Sequence, residues 1–225
     1  MPVLQDMCAA IHALGLRVEQ LHKESAPGQF EIVLGHLPAL EAADGLLLAK
    51  QAIAAIAHRH GQRASFLPKM AAEHAGSGCH MHLSLWSVDG QNRSTCELGL
   101  GDVASLADVL QRLGHKLLVG PTFRSFLAGV HAHLPSLMCF TTPTPNSFRR
   151  LQPSAWAGCF GCWGFANKEA PICIPVVSPG KGLFTNFELK LLDGTANPHV
   201  ALAAVLAAGT CGGFGRWTVV VIVFS

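Results

Sequence analysis

The sequence predicts an α+β protein, with a mixed, mostly antiparallel sheet lined with carboxylates and packed by helices. Three observations predict it. Helical and strand-like segments mix without a βαβ rhythm. Two strand-like segments flank a Pro27-Gly28 connection, as in a hairpin. The stretch Gly76 to Trp86 alternates strictly: Cys79, Met81, Leu83 and Leu85 share one face, and His80, His82, Ser84 and Trp86 share the other.

In chain order, Val3 to Leu14 has helical apolar spacing and Gly15 ends it. Leu16 to His22 and Gln29 to Leu34 read as strands around the turn at 23–28. This hairpin is expected to bring Glu24 and Glu31 into one place. Pro38 to His60 reads as a long helix, with Pro38 in its first turn and a buried stripe of Leu46, Ala49, Ile53, Ile56 and Ala57. Arg63 to Pro68 reads as a short strand and Lys69 to Ala75 as a loop. Asp89 to Leu100 reads as a hairpin-like excursion, and a helix is expected from Asp102 to about Leu113. Pro121 to Leu134 reads as a helix and Thr141 to Arg150, with its prolines, as a loop. Pro171 to Val177 and Phe184 to Leu192 read as strands. In the second, Asn186, Glu188 and Lys190 face away from Phe187, Leu189 and Leu191. Pro198 to Ala208 reads as an Ala-rich helix.

Composition narrows the function. Half of the 225 residues are hydrophobic and 13% are charged, enough to bury a sizeable core. Net charge is +2 with no basic run, which gives nucleic-acid binding no electrostatic support. No apolar run approaches the ~18 residues of a membrane span, and Met1 to Leu16 lacks the basic start of a signal peptide. The eight cysteines are irregularly spaced, which fits a reduced, cytoplasmic setting better than a disulfide scaffold.

The polar strand faces supply Glu24, Glu31, His80 and Glu188. Three carboxylates and an imidazole suit a hard divalent cation such as Mg²⁺ or Mn²⁺. His82, Ser84, Lys69, Arg149, Arg150, Lys168 and Lys190 surround them in the predicted arrangement. Cations beside a carboxylate-bound metal suit phosphoryl transfer. From spacing alone the commoner reading stands open, in which each of these glutamates is a solvated surface charge. The Cys159-Phe160-Gly161-Cys162 pair likewise reads either as redox or zinc chemistry or as two small buried residues.

Five segments resemble the glutamine synthetase family, in its order. His22 to Glu31 resembles His-x-Glu-x-x-Pro-Gly-Gln-x-Glu. Ala64 to Lys69 resembles a strand ending Phe-Met-Pro-Lys. Gly76 to Trp86 resembles Gly-Ser-Gly-Met-His-x-His-x-Ser-Leu-Trp. Pro145 to Leu151 and Asp193 to Pro198 match two later segments. Trp156-Ala157-Gly158 and Cys162-Trp163-Gly164 resemble the branch found as a C-terminal half in nodulin-like and FluG-like proteins.

The resemblance implies an ATP-dependent ligase that joins glutamate, or a related acid, to ammonia or another amine through an acyl phosphate. It implies metal ligation by Glu24 and Glu31 on the glutamate side and by His80 and Glu188 between the ATP phosphates. His82, Ser84 and Lys190 would lie along the nucleotide. Gly76 would seat glutamate through its backbone, Arg150 would pair with the substrate carboxylate, and Lys168 would serve the phosphoryl group. Mg²⁺ or Mn²⁺, ATP as co-substrate, glutamate, ammonium and a homo-oligomeric ring are the implied partners.

There are departures from the family pattern. Trp156 stands where the family carries a glutamate that closes over the substrates and helps deprotonate ammonium. Lys168, Cys173, Asn186 and Lys190 replace arginines, and Ala75 replaces an asparagine. The resemblance covers residues 1–212 as a partial catalytic domain, truncated at the N-terminus. A β-grasp domain is expected to be absent before Met1, and residues 213–225 read as an atypical apolar tail. An alternative is therefore a catalytically impaired relative that binds nucleotide or assembles with other chains.

Overall fold

The computed structural model describes residues 2–94, 120–175 and 185–211, and the backbone of 217–223. The helix expected from Asp102 lies outside them. Fourteen elements are described: α1 (Pro2–Ala13), β1 (Val18–Lys23), β2 (Phe30–Leu34), β3 (Leu37–Pro38), α2 (Ala39–Arg59), β4 (Met81–Ser87), α3 (Pro121–Ala132), α4 (Leu134–Thr141), α5 (Pro145–Arg150), β5 (Trp163–Phe165), β6 (Ile172–Ile174), β7 (Phe187–Leu189), α6 (Pro198–Thr210) and β8 (Trp217–Val223). The predicted α+β class holds. β1 and β2 form a two-stranded antiparallel sheet, and the other strands form a mixed sheet in the order β3-β8-β4-β7-β6-β5. All its pairings are antiparallel except β5 with β6.

The 21-residue α2 links two apolar cores. Its first half gives Ala42, Ala43 and Leu46 to the core under the larger sheet, beside Met81, Leu83, Phe123, Phe126, Phe187 and Leu189. Its second half gives Ala49, Ile53, Ile56 and Ala57 to a core with Val3, Met7, Ile11 and Ile32. The single apolar stripe read from the sequence thus serves two clusters. The β1–β2 hairpin is thereby fixed against the larger sheet through packed side chains rather than through a shared strand ladder.

Several expected elements differ. Arg63 to Pro68 forms no strand. Pro68 has no N–H for a ladder, and its carbonyl accepts from Ser77 N at 2.8 Å. The helix from Pro121 stops at Ala132, and Pro135 lies in the first turn of α4. The expected loop at 141–150 contains α5. Its Thr144 cap accepts from Ser147 N, and the Ser147 side chain accepts in return from Thr144 N. Among the described residues, the strands expected within 171–177 and 184–192 are β6 and β7, and regular pairing of the Gly76–Trp86 stretch begins only at Met81. The Asp89 excursion begins as a turn closed by Gly90 N donating to Ser87 O at 2.9 Å, with a bridge between Trp86 and Asn92. Residues 217–223 of the expected tail pair along all of β4, from Met81–Val223 to Ser87–Trp217.

Candidate active site

The hairpin sets the first part of the site. Gly28 has φ +70°, a left-handed turn conformation suited to glycine, and Glu24 N donates to Gln29 O at 2.9 Å. This turn opposes His22 to Glu31 across the ladder. His22 Nε2 lies 3.0 Å from Glu24 Oε1 and 3.0 Å from Glu31 Oε2. One donor-capable atom of each residue lies within 4.8 Å of the others. Burial raises Glu31's pKa, and the neighbouring Glu24 carboxylate and Glu188 charge push it the same way, while His22 opposes them. His22 was the member that sequence reasoning did not assign. Its signal was there, two residues before Glu24 on the same strand face.

β4 and β7 set the second part. His80 Nδ1 lies 2.9 Å from Glu188 Oε1, and Lys190 Nζ donates to the same oxygen at 2.7 Å. Lys190 is only 4% exposed, so the pair is shielded from water. Burial pushes Glu188's pKa up, but the His80 hydrogen bond and the charges of His80 and Lys190 outweigh it and bring it down to about 2. Burial lowers the pKa of both His80 and His82, against the pull of Glu188.

Arg150 lies between the two parts, 3% exposed. Its Nη2 donates to the carbonyls of Lys190 (3.1 Å), Leu191 (2.6 Å) and Leu192 (3.3 Å). A Cβ on Gly78 would lie 3.1 Å from Nη1, and one on Gly76 would lie 2.5 Å from Arg150 Cγ. The two glycines therefore leave room for the guanidinium. Gln29 holds this loop: its Nε2 donates to Gly76 O and Ser77 Oγ, both at 3.0 Å. Asn146 braces the far side, accepting from Lys69 N at 2.8 Å and donating to Lys69 O at 3.0 Å.

These groups converge on one cavity of about 600 Å³, lined by Glu24, Glu31, Gly76, His80, Arg150, Trp156, Lys168, Glu188 and Lys190 among others. His82 and Ser84 do not line it. His82 Nδ1 is 2.8 Å from Asn186 Oδ1, and Ser84 Oγ accepts from Trp86 Nε1 at 2.8 Å, further along β4. Arg149 is exposed on α5, and Lys69 Nζ donates to His74 O. Cys159 and Cys162 are free thiols, and no disulfide joins them.

Comparison with known proteins identifies the class to which this α+β fold and its carboxylate- and cation-lined cavity belong. Residues 1–213 match the family model described as "Glutamine synthetase, catalytic domain". The chain belongs to the glutamine synthetase family. It is 41% identical over 208 residues to the gamma-glutamylpolyamine synthetase GlnA3 of Streptomyces coelicolor, covering 92% of this chain and 41% of that protein. It is 35% identical over 213 residues to the protein fluG of Emericella nidulans, covering 94% of this chain and 20% of that one. A solved structure titled as a GmaS/ADP complex superposes with a TM-score of 0.75 at 32% identity, covering 94% of this chain and 45% of that chain. The chain thus spans less than half the length of these relatives. Among the described residues no helix is long and apolar enough to cross a membrane.

Proposed function

We propose that this chain carries ATP-dependent carbon–nitrogen ligation. The γ-phosphoryl group of ATP passes to a carboxylate oxygen of glutamate or a related acid, and ADP leaves. The lone pair of ammonia or another amine then attacks the acyl carbon. The C–O bond to phosphate breaks with its electron pair on the phosphate, and the amine nitrogen loses one proton. One observation carries this reading: two imidazole–carboxylate groups and the buried cations Arg150 and Lys190 face a single cavity.

The residues fit divalent metal. His22, Glu24 and Glu31 present donor atoms close enough to share one ion, and the set is rich in carboxylate oxygen, as Mg²⁺ or Mn²⁺ requires. His22 Nδ1 is buried with no hydrogen-bond partner among the described residues, so the ring is positioned through Nε2 and the two carboxylates. Glu24 and Glu31, with His22, would hold one ion, and His80 and Glu188 would hold a second. Bound there, the ions would neutralise charge on the transferring phosphoryl group. Lys190, and Lys168 at the cavity wall, add positive charge for the phosphates. Arg150 offers Nη1 to the acid's carboxylate, because Nη2 is engaged by main-chain carbonyls. Gly76 gives the acid a backbone contact, and His82 and Ser84 extend the wall toward the nucleotide.

The name of the GlnA3 relative describes a γ-glutamylpolyamine product, which supports an acceptor broader than ammonia. The family resemblance supports a homo-oligomeric ring, and the free cysteines support a cytoplasmic setting. The test is coupled phosphate release with glutamate, ATP, Mg²⁺ and a panel of acceptors that includes ammonium and hydroxylamine. Acid-dependent release is expected, and its absence from a folded preparation overturns the reading. A second reading, nucleotide binding without turnover, is favoured by Trp156, which offers no proton acceptor. Calorimetric titration with MgATP separates the two: saturable binding without release supports the second.

A further inference from the structure

Trp156 lines the cavity yet is 58% exposed, so it stands at the rim. Its ring already carries a cation, with Lys168 Nζ 4.4 Å from the ring centroid. Burial does not hold this ring in place. The backbone around it does. Trp156 has φ +50° and Ser154 φ +61°, a left-handed conformation that bulky residues rarely adopt. Such a conformation persists where the surroundings fix it. Here the Glu169 carboxylate fixes it, accepting from Trp156 N at 3.2 Å and Ser154 N at 3.1 Å. Gly158, at φ +77°, closes the same loop against Pro171, where a Cβ would meet the Pro171 Cα at 2.6 Å.

An aromatic face fixed at the rim and already attracting an ammonium group is a site for an organic cation. The attacking nitrogen must be neutral to donate its lone pair. A cation resting on the rim is therefore a second, non-reacting group of the same acceptor. Bare ammonium has no such group and no carbon chain to cover the indole.

Resting on the ligase reading, we propose that the Trp156 face is the distal subsite of the acceptor and that the acceptor is an aliphatic diamine. Its far ammonium displaces Lys168 from the ring while its near amine enters the cavity. Lys168 and the acceptor compete for one face, so Lys168 weakens acceptor binding as long as it remains stacked.

The test is calorimetric binding of 1,4-diaminobutane, n-butylamine and ammonium chloride to the full chain. The variants are Trp156→Ala, Trp156→Phe and Lys168→Gln, with circular dichroism to check folding. Diaminobutane is expected to bind tightest. Trp156→Ala should weaken it by about three- to thirtyfold and leave ammonium unchanged, as loss of a cation–π contact requires. Trp156→Phe should keep most of the affinity, and Lys168→Gln should tighten it. Equal affinities for the three amines overturn the subsite, as does diaminobutane binding that is indifferent to Trp156→Ala and Lys168→Gln. The ligase reading fails separately, through absent phosphate release with every acceptor, and that outcome leaves the binding series to decide the subsite.

Discussion

His80 and Glu188 meet diagonally across the β4–β7 ladder. The register pairs Glu188 with His82, yet the imidazole that reaches its carboxylate, at 2.9 Å, belongs to His80. Diagonal neighbours on one sheet face lie within reach of long side chains. Gly78 makes room for the approach, since a Cβ there would sit 2.4 Å from His80 Nε2. Lys190, just past the end of β7 and two residues from Glu188, meets the same oxygen at 2.7 Å.

This arrangement predicts the acid limb of stability. The pKa of Glu188 is held at about 2, against an ordinary 4.5. A depressed folded-state pKa stabilises the native state above the unfolded value, and the contribution is lost as pH falls through the folded one. Its share should therefore be complete above about pH 4.5 and disappear progressively toward about pH 2. Urea midpoints taken across that window should fall more steeply for the wild type than for Glu188→Gln. Parallel slopes would show that the His80 and Lys190 contacts contribute no charge-dependent stability.

The hairpin group predicts metal-linked stabilisation. A ligand that binds only the native state, at a hundred times its Kd, adds about 2.7 kcal/mol. Thermal melts with Mn²⁺ should shift upward in the wild type. Much of the shift should vanish in Glu31→Gln and His22→Ala, which remove two of the three clustered donors. Glu41→Gln, on the exposed first turn of α2, should keep it. A shift of equal size in all four proteins would locate the ion elsewhere.

What could be read from the sequence follows the range of the forces involved. The Glu24–Glu31 juxtaposition was legible because a Pro-Gly turn and a two-residue period fix register locally. The two faces of β4 were legible for the same reason: residues 79, 81, 83 and 85 are all buried. α5 was missed because Pro143 and Pro145 masked a capping box that Thr144 and Ser147 spell out. Partnerships across the chain were not legible. No local pattern says that residues 217–223 pair with β4 or that Lys168 stacks on Trp156. Arg63 to Pro68 shows the converse, strand-like residues that find no ladder among the described residues. Nor does any local pattern say that the three carbonyls at 190–192 occupy one of the Arg150 nitrogens.

Gly78→Ala predicts a lost site in an intact fold. The added methyl would collide with the His80 ring, a side-chain end, and touch Arg150 Nη1 at 3.1 Å. The core residues Cys79 and Met81 point the other way and stay packed. The expected outcome is a thermal midpoint within a few degrees of the wild type. MgATP or Mn²⁺ affinity should fall at least tenfold, as when groups that orient ligands are displaced. Calorimetry beside circular dichroism checks it, and unchanged affinity would show that His80 does not need this space.

Phe187 joins the core to the site. Its ring is fully buried, 5.5 Å from the Phe123 ring and 6.1 Å from that of Phe126, both tilted. On a strand, the neighbour of a buried residue faces the opposite side, so the depth of Phe187 sets where Glu188 emerges. Removing a buried aromatic costs about 3–5 kcal/mol, because the cavity left behind collapses only in part. Phe187→Ala should therefore lower the urea midpoint sharply, and Phe187→Leu should lower it less. Because β7 contains only three paired residues, loss of the Phe187 anchor should also loosen the Glu188 carboxylate from His80. Metal affinity should therefore drop even under conditions where Phe187→Ala remains folded. Retained affinity in that folded variant would mean that the His80 and Lys190 contacts alone hold Glu188 in place.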